Sequence, residues 1–367
     1  MPSFYVGLMS GTSMDGIDAA LVSFGEASLD IVATHTEPYP RKLKDELLTA
    51  IREPLHVELD RSGDLDRRVG ECFRDAALAV IAAGEISHQD IVAIGSHGQT
   101  LRHQPDADKP FSLQIGNAGI IASGTGISTV ANFREADIAA GGQGAPLVPP
   151  FHSWLFQSKG VERVVVNIGG IGNITILPGD DSDVIGFDTG PGNGLMDAWI
   201  RHRRDLPFDN LGRWADSGNV IDSLLEDFLD DPYFKLAPPK STGFEYFNLG
   251  WIERFDTDRF AAADVQATLC ALTETTIVSA IRQHAPNTRE IFVCGGGAHN
   301  AKLMRRLDQA DATMSVSTTQ SVGLDPDWVE AVAFAWLARR TIHGQSGNLP
   351  SATGATHEVI LGNVHAA

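Results

Sequence analysis

Val164-Val-Val-Asn-Ile-Gly-Gly-Ile-Gly-Asn-Ile-Thr-Ile-Leu177 is an apolar run, a glycine-rich turn and a second apolar run. β-Branched residues around a glycine turn read as two strands joined in a hairpin. The plan also stands near the start, as Tyr5-Val-Gly-Leu-Met9, the turn Ser10-Gly-Thr-Ser-Met-Asp-Gly16, and Ile17-Asp-Ala-Ala-Leu-Val-Ser-Phe24. Two such hairpins, roughly 160 residues apart, point to two related halves. The chain is long enough for two domains, each with its own core.

Ile185-Gly-Phe-Asp-Thr-Gly-Pro-Gly-Asn193 follows the second hairpin and carries one acidic residue, Asp188. A carboxylate at a strand's end, facing a glycine turn that opens a helix, can orient a nucleophile beside bound phosphate. The turn supplies N–H groups and the helix N-terminus favours anions. The plainer reading is a β–α turn whose aspartate hydrogen-bonds its own loop.

Bulk properties narrow the classes. A hydrophobic fraction of 43% with 20% charged residues describes a globular protein. The formal charge of −19 argues against nucleic acid or an anionic membrane as partner. A nucleotide substrate stays open, because a local turn can hold phosphate within a negative field. Cys72, Cys270 and Cys294 are too widely spaced for a disulfide framework or a zinc site, so a reducing, cytoplasmic setting is expected. The start has no basic leader, and no apolar run approaches the ~20 residues of a membrane span.

Helices are expected over Pro40–Arg52, over Leu65–Ala83 on the spacing of Val69, Phe73, Ala76 and Val80, and over Asn117–Gly124. Ile91–Gly95 reads as a short strand ending in Ser96-His-Gly-Gln-Thr100. Asp264–His284 reads as a helix capped by Asp264, and a last helix starts at Asp325-Pro326. From Val329 to Ala338 that helix is apolar all round except for Glu330. A carboxylate there is costly unless it is paired or faces a polar cleft.

Three glycine-rich turns, Gly11–Gly16, Gly169–Gly172 and Gly295–Gly297, each follow a strand. None is a P-loop or a dinucleotide fingerprint, and each alone is an ordinary tight turn. Together with Asp188 they are better explained by one nucleotide held between two lobes. His97 and His103 are spaced unlike metal ligands on a helix, and no His/Cys/carboxylate cluster suggests a structural metal.

Six blocks in order carry a resemblance: Gly11-Thr-Ser-Met-Asp-Gly-Ile-Asp18, Ser96–Thr100, Asn132-Phe-Arg-Glu-Ala-Asp137, Asn167-Ile-Gly-Gly-Ile-Gly-Asn173, Phe187–Asn193 and Gly295-Gly-Gly-Ala-His-Asn300. They resemble the anhydro-N-acetylmuramic acid kinase family of the sugar kinase/Hsp70/actin-like superfamily. The resemblance implies an α/β fold of two ribonuclease-H-like lobes around a central nucleotide and substrate cleft. The first lobe is expected at 1–130 plus about 345–367, and the second at 131–344. It further implies that ATP and water open the 1,6-anhydro ring of anhydro-N-acetylmuramic acid and phosphorylate O6, in cell-wall recycling.

Roles follow residue by residue. Asp188 is the general base for water. Ser10, Gly11, Thr12, Ser13, Met14, Asp15, Gly16, Ile17 and Asp18 form one ATP-binding hairpin. Asn167, Gly169, Gly170 and Gly172 form its counterpart, and Gly295, Gly296, Gly297 and Asn300 the adenosine-side loop. Arg134 is read as a surface arginine or, within its matched block, as the partner of the sugar's lactyl carboxylate or of phosphate. Glu330 is read as a core carboxylate paired with an arginine, or as a contact to the sugar or its attacking water. His97 is a satisfied structural histidine or a cleft residue. Gly190 and Asn193 complete the substrate side. Mg²⁺ would arrive with ATP, with Asp15 and Asp188 as candidate ligands. A homodimer is implied, with neither nucleic acid nor membrane as partner. The alternatives are a plain sugar kinase and a nucleotide-operated binding protein, the latter disfavoured because no peptide-binding domain or long amphipathic lid is evident. A sugar-sensing repressor would need a basic DNA-binding segment.

Overall fold

A computed structural model of the chain describes residues 3–11, 14, 16–26, 28–52, 59–105 and 107–367. Thr12, Ser13 and Asp15 of the first turn lie outside the described residues. The chain divides into two compact units, Met1–Leu155 with Trp328–Ala367, and Phe156–Asp327.

In the first unit, strands β1 (Phe4–Ser10), β2 (Ile17–Phe24) and β3 (Leu29–Glu37) form an antiparallel meander. Strand β4 (Ile91–Gln104) runs parallel to β1, and β6 (Thr129–Ala131) parallel to β4. Strand β5 (Phe111–Ile115) folds back on the far half of β4, and β12 (Asn363–His365) pairs with β6 at the edge. The spatial order is β3-β2-β1-β4-β6-β12.

The second unit repeats this plan. Strands β7 (Arg163–Ile168), β8 (Ile171–Leu177) and β9 (Ile185–Pro191) form the meander. Strand β10 (Glu290–Cys294) runs parallel to β7, and β11 (Ser315–Thr318) parallel to β10. The order β9-β8-β7-β10-β11 matches β3-β2-β1-β4-β6 strand for strand. Each unit is therefore ribonuclease-H-like, as the resemblance implied, and the two are alike, as the hairpins led us to expect.

The expected apolar stripes are buried. Val69, Phe73, Ala76 and Val80 lie inside the helix Leu59–Gly84, and Val265, Leu269, Leu272, Ile277 and Ile281 inside Ala262–His284. The helix Val329–Ile342 lies directly on β1 and β4. A Cβ on Gly7 would stand 1.8 Å from Ala331 O, and one on Gly95 2.1 Å from Phe334 O. Only glycine permits that approach. Close packing on the sheet explains why this helix is apolar all round and why Glu330 is held near it. Among the described residues no helix is long and apolar enough to cross a membrane.

Several expectations need correction. The division falls after Leu155 and before Trp328, not at 130 and 345, because β6, the short helix Glu135–Ala139 and the helix Val329–Ile342 belong to the first sheet's surroundings. The strand at Ile91 continues through Ser96–Thr100 to Gln104, since β1 pairs with it as far as Gln99 and β5 from there on. Strand β3 occupies the stretch between the first hairpin and Pro40, for which no element was expected. The long helix is preceded by Ala261, while Asp264 Oδ1 accepts from Asn219 N at 2.8 Å. The last helix begins at Val329, and Asp325 instead accepts from Asp327 N at 3.0 Å in an Asx turn.

Candidate active site

The first turn leaves the end of β1 under a buried polar clamp. The Ser10 hydroxyl is shared between Gly16 O at 2.9 Å and Gln99 Oε1 at 2.8 Å. Gln99 Nε2 donates to Gly11 O at 3.3 Å, and the Tyr39 hydroxyl donates to Gln99 Oε1 at 3.4 Å. Ser10 and Gln99 are both buried, so this hydroxyl frames the turn from within. Met14 N closes the turn onto Gly11 O at 3.2 Å, and the Met14 side chain is buried in the core. Ile17 is buried too, and Asp18 Oδ1 accepts from Thr36 Oγ1 at 2.9 Å.

His97, Arg134 and Glu330 converge in the first unit. His97 Nδ1 donates to Gly98 O at 2.9 Å, which leaves Nε2 to accept from the Arg134 guanidinium at 2.9 and 3.3 Å. Burial, with Arg134 beside it, holds the His97 pKa well below its ordinary value, so the ring is neutral. Arg134 also donates to Gly144 O at 2.6 Å, and Gly144 N donates to the buried Asp137 carboxylate at 2.8 Å. Arg134 is thus no loose surface arginine. Burial pushes the half-buried Glu330 carboxyl up to about 7; Arg134 opposes that rise and Asp18 adds to it. His103, also on β4, is lowered to about 4 by burial and then by Arg134.

In the second unit the glycine turns meet at the carboxyl ends of β7 and β10, the side of such sheets where ligands bind. The β7–β8 turn centres on Gly169 and Gly170, while Gly172 already lies in β8. Gly192 N and Gly194 N donate to Gly170 O at 3.0 Å each, and Asn193 N to Gly169 O at 2.8 Å. A Cβ on Gly192 would stand 2.4 Å from Gly169 O. The amides that open the helix Gly194–Arg204 thus donate to the carbonyls of the hairpin turn. Asn193 Nδ2 likewise donates to Ile168 O at 3.1 Å. Gly295 packs on Asn167, Gly297 packs on Ile168, and Gly296 is less crowded. Asn300 caps the helix Ala301–Ala310, accepting from Leu303 N at 3.0 Å, so its side-chain oxygen is also committed.

Asp188 stands in the middle of β9, not at its end. Gly172 pairs with Gly190 and Asn173 with Asp188, so Thr189 is the extra residue of a β-bulge. Such a bulge re-aims neighbouring side chains. Gly190 has φ +144 and faces the Phe234 ring. Asp188 Oδ2 accepts from Thr242 N at 2.9 Å, its N donates to Lys240 O at 3.1 Å, and its O accepts from the Tyr233 hydroxyl at 2.8 Å. One carboxylate oxygen is thus fixed by backbone, in a frame that can aim the other.

The model of the anhydro-N-acetylmuramic acid kinase family matches residues 3–367. The chain belongs to this family. The anhydro-N-acetylmuramic acid kinase of Shewanella pealeana is 49% identical over 367 residues, 100% of this chain and 99% of its own. That of Coxiella burnetii is 46% identical over 363 residues, covering 98% and 97%. Among solved structures, the activator of the 2-hydroxyisocaproyl-CoA dehydratase from Clostridium difficile covers 90% of this chain and 92% of its own. Its 12% identity and TM-score of 0.47 are too low to carry an argument.

Reading the chain as an anhydro-N-acetylmuramic acid kinase draws in residues that the sequence did not single out. Gln99, Asp137 and Lys240 each anchor a matched block, and Thr242 holds Asp188. The signal for Gln99 was a polar residue continuing a buried strand; Lys240 and Thr242 lie in Pro238-Pro-Lys-Ser-Thr-Gly243, whose residues carry no such signal. Among the described residues no group of three or more His, Cys, Asp or Glu is placed to hold a metal.

Proposed function

We propose that the chain is an ATP-dependent kinase that opens the 1,6-anhydro ring of anhydro-N-acetylmuramic acid with water and phosphorylates O6. The products are N-acetylmuramic acid 6-phosphate and ADP, which belongs to peptidoglycan recycling. The observation that carries this reading is the backbone-pinned Asp188 carboxylate in a chain that matches the family from end to end.

Asp188 takes a proton from water as the water oxygen attacks C1. The C1–O6 bond breaks and its electron pair stays on O6. O6 then attacks the γ-phosphorus, and the bond from that phosphorus to the ADP oxygen breaks. Phosphoryl transfer needs mainly positioning and charge. Arg134 holds the lactyl carboxylate or a phosphate oxygen, steadied by His97 and Gly144. Glu330, near half-protonated at neutral pH, contacts the sugar or the attacking water. The turns at Gly11–Asp18, Gly169–Gly170 and Gly295–Gly297 receive the nucleotide. Mg²⁺, when bound with ATP, neutralises phosphate charge; Asp15 and Asp188 are its candidate protein ligands. We also take the enzyme as a cytoplasmic homodimer, which sedimentation can check.

Turnover in ¹⁸O-water with the anhydro sugar tests the reaction. Label at the sugar's C1 hydroxyl is expected. Label on inorganic phosphate means simple ATP hydrolysis, and an unlabelled phosphorylated anhydro sugar means a plain sugar kinase. Either result overturns the reading.

A further inference from the structure

Strand β4 runs past the end of β1. Their pairing stops at Ser10 and Gln99, and β4 goes on to Gln104 with β5 as its partner. This projecting arm lies at the carboxyl end of the parallel strands, the side where ligands bind. Between the arm and the helix Glu135–Ala139 lies an open cleft of about 380 Å³, lined by Pro110, Phe111, Ser112, Glu135, Ile138 and Ala139.

Arg134 shares a wall with this cleft. Arg134 and Ile138 are four residues apart on one helical face, and Ile138 N donates to Arg134 O at 3.1 Å. A Cβ on Gly144 would stand 3.3 Å from Arg134 Cβ and 2.9 Å from Ile138 Cγ1, so both side chains spring from one patch against Gly144. The guanidinium turns to His97 Nε2 at 2.9 Å and Gly144 O at 2.6 Å, while Ile138 lines the cleft with Phe111. Ser112 is fixed in place, with His103 Nδ1 3.0 Å from its Oγ and Gln114 Nε2 donating to it at 2.8 Å. Glu135 is the one charge on the lining, and its carboxylate disfavours a second anion inside. A cation thus stands beside the cleft, and apolar walls with one anion stand within it.

A lactyl ether is divided in the same way. One carbon carries both its carboxylate and its methyl, so anchoring the first places the second next to it. We propose that the cleft is the subsite for the sugar's lactyl arm: Arg134 takes the carboxylate, Phe111 and Ile138 take the methyl, and Glu135 keeps the arm from entering carboxylate first. The inference rests on the proposed function and commits Arg134 to the sugar, not to phosphate. Phe111 and Ile138 are then specificity-determining residues, although neither lies in a block that carries the family resemblance. The cleft has room for the whole arm.

The test is calorimetric binding to the full chain without nucleotide. The two probes are anhydro-N-acetylmuramic acid and its 3-O-carboxymethyl analogue, which keeps the carboxylate and lacks only the methyl. Wild type should prefer the lactyl sugar about fourfold or more, the value of one buried methyl. In Phe111→Ala/Ile138→Ala that preference should fall below about twofold, while Arg134→Met should weaken both sugars about tenfold or more. A double variant that keeps the wild-type preference, a wild type with none, or an Arg134→Met that binds both sugars normally overturns the inference. If wild type still places ¹⁸O at C1, only the cleft assignment falls; if wild type binds neither sugar, the proposed function falls with it. Should the double variant not fold, Phe111→Ala alone, at a side chain already 47% exposed, gives the same comparison.

Discussion

Thr242 and Asp188 are 54 residues apart in the chain, and the Thr242 amide donates to Asp188 Oδ2 at 2.9 Å. A backbone donor cannot be removed by a side-chain change, so this oxygen stays an acceptor in any Asp188 variant that keeps one. Asp188→Asn can retain the contact through its amide oxygen while losing the base. Turnover should fall by about 10²–10⁴-fold, with ADP affinity by calorimetry within twofold of wild type. Comparable turnover would remove Asp188 from the base role.

Glu330 makes stability depend on pH. Its folded carboxyl is raised from 4.5 to about 7, so the folded state binds a proton that the unfolded chain has lost across that window. Stability from this group is therefore complete below about 4.5 and declines as pH rises through about 7. Glu330→Gln should flatten the decline and gain up to about 3 kcal/mol at pH 8 relative to pH 4.5. Melting temperatures of both proteins from pH 4.5 to 8 check it; parallel curves would contradict the assignment.

Removing the Arg134 side chain leaves His97 Nε2 without its guanidinium donors. Arg134→Met should raise the KM for the anhydro sugar about 10–100-fold, the loss expected for a charge-assisted hydrogen bond. The His97 imidazole should also titrate at higher pH, because the neighbouring cation is gone while burial remains. Imidazole NMR titration reads the second effect independently of activity.

The backbone packing at Gly192 admits no side chain. Gly192→Ala places a Cβ against Gly169 O and must push the β7–β8 turn away from the helix Gly194–Arg204. Urea unfolding should show about 1–3 kcal/mol of lost stability, with a raised KM for ATP. Gly11→Ala, where a Cβ meets nothing within 4 Å, should leave stability nearly unchanged.

What could be read from sequence was local and periodic. The repeated hairpin at Tyr5–Phe24 and Val164–Leu177 announced two like units, and helical spacing marked the buried faces. Glu330 stood out because it interrupts an apolar helix. What could not be read depends on distant partners. Strand β4 extends past Gly95 because β1 pairs with it as far as Gln99 and β5 from there to Gln104. The Ser10 hydroxyl is consumed by Gln99, 89 residues away, and the helix-opening amides at Gly192–Gly194 by the turn at Gly169. Lys240 carries no pattern of its own, because its place is fixed by backbone contacts to Asp188.

The Asp137 carboxylate also accepts from Asn348 Nδ2 at 2.8 Å and from Thr353 Oγ1 at 2.7 Å, joining the Arg134 loop to the last part of the chain. The first unit is thus written in two pieces, while Phe156–Asp327 is continuous. Synthesis runs from the N-terminus, and domains fold as units. The second unit has its whole sequence before the first does. Strands β1 to β4 emerge earliest, yet their apolar face waits for the helix Val329–Ile342, and Asp137 waits for Asn348. On the ribosome, the half of the enzyme that is made first is completed last.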